Sequence, residues 1–433
     1  MIDRKTVCIN RLANNSSEAI KFQRFLRNEA VTVPILIHAE QERLAPLISG
    51  RHVLAIQDTS EVNFQKHAGR VHGLGTVGNG TDAGFFMHPM IVLDANTTAC
   101  LGFAEVEIWN RLKPASKKYP QLPIEEKESY RWIKTAEASK KALSNANCVT
   151  YIGDRENDIY EFLDRIPDEK SHVITRVRTD RLLENGEKIY AHLDQQPEAA
   201  RIKITVPRDI RKNRKEREAI LALKYSEIEI KRPNNCSDKS AARKIKLRIV
   251  EAKEVDHSVE VEPIHWRLLT THLITKAQDV QQIISWYRKR WNIEQVFRTL
   301  KSQGLDIESS QIESGKNLMK LAVIGLCAAI QIMELVLARE GTTEQRTKEV
   351  FNDDEVKMLG VVLKTVEGKT LKQKNPFPQE NLGWASWIIA RLGGWHGYKS
   401  SAGLPGPIVM GRGLKRFFDI YEGYKLYRDV YAE

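Results

Sequence analysis

Two short segments stop at an aspartate after an almost unbroken apolar run. They are Val53-Leu-Ala-Ile-Gln57 before Asp58, and Cys148-Val-Thr-Tyr-Ile-Gly153 before Asp154. Runs this short and this apolar predict buried strands, each with an acid at its C-terminal end. Met90-Ile-Val-Leu93, Leu101 to Val106 and His172 to Arg176 predict three more strands. Ser17 to Asn28 and Glu125 to Leu143 predict helices, and a long amphipathic helix is expected from about Ala277 to Gln303. The pattern argues for a mixed α/β core with a β insertion and helical flanks. The expected layout is a helical region over 1–45, a core over 46–340 with a β-rich basic insertion at 185–275, and a helical region over 341–433.

With 28% charged and 42% hydrophobic residues in 433, the chain is neither disordered nor a membrane protein in composition. The segment Leu321 to Ala338 is interrupted by Gln331 and Glu334 and preceded by Lys320, so a buried helix is expected there and no membrane span. The N-terminal residues lack the apolar stretch of a secretory signal. The five cysteines lie far apart with no CxxC pair, which points to reduced thiols and a cytoplasmic setting.

A net charge of +11 and a pI near 9.2 imply a polyanionic partner, nucleic acid first and an anionic membrane surface second. Residues 201–250 hold sixteen Lys or Arg against six Asp or Glu, nearly the whole surplus. Arg201 to Val206, Glu227 to Ile230 and Lys244 to Ile249 alternate with period two, so antiparallel strands with a basic face are expected. RDIRKNRKERE (208–218) reads as a basic loop between them. Such a face is either a phosphate-binding surface or an ordinary solvated sheet, and the concentration of charge favours the first.

The segment Trp286 to Lys301, WYRKRWNIEQVFRTLK, carries the densest chemistry. On one continuous helix, Tyr287, Arg290, Glu294, Arg298 and Lys301 fall within an arc of about 80°. Ile293, Val296, Phe297 and Leu300 take the other side. One carboxylate among three cations and a phenol is also what an exposed face with i,i+4 ion pairs presents. Asp58 and Asp154, each alone, could equally cap a turn. Brought together with Glu294 they would form a three-carboxylate cluster, whose repulsion a hard divalent cation such as Mg²⁺ relieves. Two such ions suit phosphodiester cleavage.

Tyr287-x2-Arg290-x3-Glu294-x6-Lys301 resembles the Tyr-Arg-Glu-Lys signature of a branch of bacterial cut-and-paste insertion-sequence transposases. AIQDTS around Asp58, IGDRENDIYEFL around Asp154, and intervals of 96 and 140 residues between the three acids agree with that family. EEKES at 125–129, Trp266-Arg-Leu-Leu-Thr-Thr271 and ARLGG at 390–394 extend the likeness over roughly residues 17–425.

The resemblance implies a ribonuclease-H-like mixed-sheet core in which Asp58, Asp154 and Glu294 are catalytic and hold two Mg²⁺ ions, with Mn²⁺ as a substitute. It implies that Tyr287, Arg290, Arg298 and Lys301 grip phosphates near the cleaved end. It implies that Trp266 stacks on a flipped base during hairpin formation, a core tryptophan being the competing reading. Arg24 and Arg27 in QRFLRN resemble contacts to the transposon end, against solvated helix charges. Arg176, Arg178 and Arg181 would line the DNA groove. The partners implied are double-stranded DNA, both transposon ends and target, and a second copy on paired ends, in a bacterial cytoplasm at the nucleoid.

Family members usually carry several tens more residues of N-terminal helical domain before the equivalent of Ser17 to Asn28. A truncated, inhibitory homologue acting by dimerisation is therefore one alternative expectation, and a stand-alone metal-dependent DNA nuclease a second. The aromatic tail FFDIYEGYKLYRDVYAE reads as a helix with exposed apolar surface, for a dimer contact or for packing on the core. Gly73-Leu-Gly-Thr-Val-Gly78 satisfies GxGxxG, but loop residues follow where a dinucleotide site requires a helix.

Overall fold

The computed structural model describes residues 6–111, 122–206, 216–236, 238–256, 262–301, 304–398 and 403–431. In chain order, three helices come first: α1 (Ile9–Leu12), α2 (Ser16–Arg27) and α3 (Val33–Leu47). Next come β1 (His52–Gln57), β2 (Ser60–Asn63), β3 (Gly75–Val77), β4 (Asp82–Asp94) and β5 (Cys100–Trp109). Then α4 (Tyr130–Ala142), β6 (Cys148–Gly153), α5 (Tyr160–Arg165), β7 (Ser171–Arg176) and α6 (Ile189–Asp194) alternate. The strands β8 (Ala200–Val206), β9 (Arg217–Lys231), β10 (Lys244–Val255) and β11 (His265–Thr270) follow. The chain ends with α7 (Ala277–Arg288), α8 (Trp291–Leu300), α9 (Gly315–Ala338), α10 (Asp353–Val366), α11 (Leu382–Leu392) and α12 (Pro407–Tyr431). The mixed α/β class expected from the sequence is the one observed, with strands at every expected run.

Contacts divide the chain into two units. One comprises Gly50–Asp58 and Ala115–Arg290. Its strands β1, β6 and β7 are parallel neighbours, and β11, β10, β9 and β8 continue from β7 as antiparallel neighbours. Val53, Leu54, Ala55, Ile56, Tyr151, Ile152, Val173 and Ile174 are fully buried, as parallel strands covered on both faces demand. Trp132, Ile133 and Ala136 of α4 and Phe162 and Leu163 of α5 are buried in the same unit.

The long β9–β10 ribbon changes the reading of the basic window. Lys246 and Arg248 both pair with Glu227, at 2.6 and 2.8 Å, Lys244 pairs with Glu229 at 2.9 Å, and Lys203 with Glu218 at 2.6 Å. Arg217 forms a two-pronged pair with the buried Glu254. Opposite charges facing each other across strands neutralise much of the expected basic face. The stretch 207–215, with five of the window's cations, lies outside the described residues.

The second unit comprises Met1–Ser49, Thr59–Pro114 and Trp291–Glu433. Its strands β2, β3 and β5 all pair antiparallel with β4. The helix α9 has the length and hydropathy of a membrane span, yet 78% of its most apolar window is buried inside the protein. The charges that interrupt it are held internally. Lys320 donates to the carbonyls of Leu26 and Asn28 at the end of α2, and Glu334 accepts from Arg43 of α3 at 3.1 Å.

One expected element differs. The predicted helix over 277–303 is two helices, interrupted at Lys289–Arg290. There the backbone tightens: Arg290 N–H donates to Tyr287 O and Lys289 N–H to Trp286 O, both spanning three residues. The five residues placed on one helical arc therefore fall on two helices and the turn between them.

Candidate active site

In the first unit, β1 pairs with β6 so that His52 faces Cys148 and Ile56 faces Ile152, an offset of 96 residues throughout. Asp58 and Asp154 are also 96 residues apart and follow their strands directly, so the register carries them to the same level at the same end of adjacent strands. Neighbouring strands lie roughly 4.8 Å apart, so the backbones that carry the two aspartates leave the sheet side by side.

Each aspartate has a local partner. Arg290 donates to Asp58 Oδ2 at 3.0 Å, with both side chains about four-fifths buried. Asp154 caps the turn that follows β6, accepting from Glu156 N–H at 2.7 Å. The capping bond leaves the residue partly exposed. Three residues on, Asn157 is fully buried and both polar atoms of its amide lack a hydrogen-bond partner among the described residues. It packs on Gly153, where any side chain would collide with it.

Around this pair the first unit gathers several residues expected to bind DNA. Tyr287 is buried near the guanidinium groups of Arg176 and Arg290, and has its phenol pushed above the ordinary value by burial. Burial pushes Arg176 down, and its Nη2 donates to His265 O at 3.0 Å. Trp266 is half-buried and meets Tyr287 edge-on, with ring centroids 5.8 Å apart, so it is not the enclosed core residue of the competing reading. Arg178 is exposed. Arg181 is not a groove residue: its guanidinium is buried and bound to Asp158 at 2.6 Å.

The remaining predicted residues lie in the second unit. Glu294 is half-buried on α8, whose other face buries Ile293, Val296, Phe297 and Leu300 as expected. Arg298 stands over the exposed ring of Trp291 at 5.2 Å, and Lys301 pairs with Glu308 at 3.5 Å. Arg24 and Arg27 are exposed on α2. Arg27 and Gln23 border a cleft of about 420 Å³ together with His72, Gln311 and Asn317. Those residues come from separate stretches of sequence, and no local pattern announces the cleft.

Among the described residues, no group of three His, Cys, Asp or Glu side chains is arranged to hold a metal ion. The donor chemistry at the strand ends nevertheless fits a hard divalent cation: two carboxylates level with each other and an unsatisfied amide beside one of them.

Fold and site together define a mixed α/β protein with paired carboxylates at the ends of parallel strands. The family described as "Transposase DDE domain" matches residues 92–331, more than half of the chain. The chain belongs to this transposase DDE-domain family. The matched segment contains Asp154, Trp266, Tyr287, Arg290 and Glu294, while Asp58 precedes it. Among solved structures, the chain is similar to a piggyBac transposase synaptic complex with hairpin DNA, at 8% identity and a TM-score of 0.34. That likeness covers 83% of this chain, which spans 56% of the length of the piggyBac chain.

Proposed function

We propose that this chain is a DNA transposase that cuts and joins the ends of a bacterial insertion sequence, with Asp58, Asp154 and Glu294 as its catalytic carboxylates. The observation that carries the reading is the β1–β6 register, which levels two aspartates separated by 96 residues. Membership of the DDE family supports it. The family uses divalent metal ions, and here Asp58, Asp154 and Glu294 would hold two Mg²⁺ or, in substitution, Mn²⁺. Bound ions supply activation of the attacking oxygen and stabilisation of the leaving oxygen.

The chain's own side chains bind and orient the DNA. Arg290, Arg298 and Lys301 neutralise phosphates around the scissile bond, with Tyr287 steadying Arg290 and Arg176. Water nicks one strand, and the freed 3′-hydroxyl attacks the opposite strand to give a hairpin. Trp266 offers its ring to the base extruded in that hairpin. Reopening of the hairpin and joining to target DNA complete the reaction. Arg24, Arg27 and Arg178 contact the end from α2 and from the segment after β7. A second copy pairs with the first through α12, which exposes Ile420, Tyr424, Tyr427 and Val430.

Asp58→Asn or Glu294→Gln should abolish metal-dependent cleavage of cognate ends while DNA binding remains measurable. Cleavage that survives either change overturns the assignment. If the unmodified chain binds no terminal-repeat DNA but suppresses transposition by a longer relative, the inhibitory reading replaces this one.

A further inference from the structure

Asp158 lies four residues beyond Asp154, and its side chain has no solvent exposure. Burying a carboxylate is costly unless its oxygens are satisfied. Here all the donors come from one segment, the residues just after β7. Oδ2 accepts from the backbone N–H groups of Arg178 at 2.8 Å and Thr179 at 3.0 Å. Oδ1 accepts from Arg181 Nε at 3.1 Å and Nη2 at 2.6 Å, and Nη2 also donates to the Asp158 carbonyl at 2.8 Å. The clasp thus joins the turn after β6 to the segment after β7 by a charge-assisted network whose two charged side chains, Asp158 and Arg181, are buried.

This network sits where it can aim a DNA contact. Gly153 and Thr175 are register partners, and Thr175 Oγ1 donates to the Asp154 carbonyl at 3.1 Å. The clasp begins three residues later, at the backbone of Arg178, whose own side chain is exposed. Beyond Arg178 and Thr179 the chain is next anchored at Asp180, which accepts from Tyr190 N–H at 3.0 Å, and at the Arg181 carbonyl, which accepts from Ile189 N–H at 3.1 Å, so the clasp is what holds the two residues between β7 and those anchors.

We propose that Asp158, braced by Arg181, is a positioning residue that holds Arg178 beside the Asp154 strand end for contact with a backbone phosphate of the cleaved DNA. The proposal rests on the transposase reading. Asp158 touches no substrate and acts through Arg178.

The test is a double-mutant cycle on the full chain with terminal-repeat duplex DNA. Asp158→Asn and Arg178→Ala should each weaken end binding and cleavage about tenfold. In the Arg178→Ala background, Asp158→Asn should add less than a twofold further loss. Multiplying losses would mean a general structural role and overturn the proposal. Hydrogen exchange of a peptide covering residues 177–181 gives a readout independent of DNA: Asp158→Asn should raise exchange there and leave β1 unchanged, and unchanged exchange also overturns it. If Asp158→Asn does not fold, Arg181→Met, which keeps both backbone bonds, should show the same non-additivity with a smaller single loss. An Arg178→Ala protein with unaltered DNA binding defeats the positioning role while leaving the transposase reading intact. An unmodified chain that neither binds nor cuts end DNA defeats that reading itself.

Discussion

The guanidinium of Arg290 and the carboxylate of Asp58 meet at 3.0 Å, tying the turn after α7 to the end of β1 across 232 residues of sequence. The turn residue is thereby fixed at the strand end by a charge-assisted bond from its Nη1 to Asp58 Oδ2. Arg290→Lys keeps the charge but loses that geometry, and Arg290→Ala leaves Asp58 without this partner. Both should lower end cleavage, alanine by at least a hundredfold and lysine by less. Alanine should also destabilise the fold by about 1–3 kcal/mol, read from denaturant unfolding.

Two titratable groups give opposite pH dependences. Glu334 is pushed up to about 7, chiefly by burial, with Glu40 opposing and Arg43 favouring its ionisation. Its folded pKa exceeds its unfolded one, so its contribution is present below about pH 4.5 and is lost as pH rises through about 7. Glu334→Gln should remove that decline, worth on the order of 1–3 kcal/mol, in unfolding measured from pH 5 to 8.

His272 runs the other way. It packs against His172, His52 and Trp286 and shares Thr150 Oγ1 with His52. Burial first, then the neighbouring imidazoles His172 and His52, push it down to about 3. A base depressed in the folded state costs stability as pH falls below about 6.5, because only the unfolded chain takes up the proton. His272→Asn should flatten the acid side of the stability curve between about pH 6.5 and 4.

Trp266 should separate two steps of the proposed reaction. Trp266→Ala should slow hairpin formation about ten- to hundredfold, the scale of one lost base–aromatic stack. Trp266→Phe should recover much of the rate. First-strand nicking should change little in either variant, read on denaturing gels. Equal loss of nicking and hairpin formation would contradict the stacking role.

The helix α2 should report on DNA through salt. Replacing both Arg24 and Arg27 by Ala should reduce the slope of log affinity against log salt by roughly 0.9 for each lost phosphate contact. Lys320→Met should weaken end binding by a different route, releasing the C-terminus of α2 from α9 with the slope largely retained. A competition series in increasing salt distinguishes the two.

Much of the fold was legible residue by residue. Apolar runs such as Val53 to Ile56 and Val149 to Ile152 form buried strands because their composition leaves no polar face to solvate. Lys320 and Glu334 correctly marked α9 as internal, and the structure adds their partners, Leu26 O, Asn28 O and Arg43. The basic window was less legible. Counting its charges could not reveal that Glu227, Glu229 and Glu254 sit opposite the cations, since cross-strand pairing depends on register.

The sequence by itself determined where most of the strands and helices form, which residue types carry chemistry, and that Asp58 and Asp154 end two buried strands. These are local properties, set by periodicity and composition within a dozen residues. Only the tertiary structure decided that the β1–β6 register matches the 96-residue interval between the aspartates. It also decided that the expected long helix breaks at Lys289–Arg290. Finally, it decided that Arg181 serves Asp158 instead of DNA. Such outcomes depend on which distant groups share one buried space, and there the cost of an unpaired charge or carbonyl selects partners that no local pattern can specify.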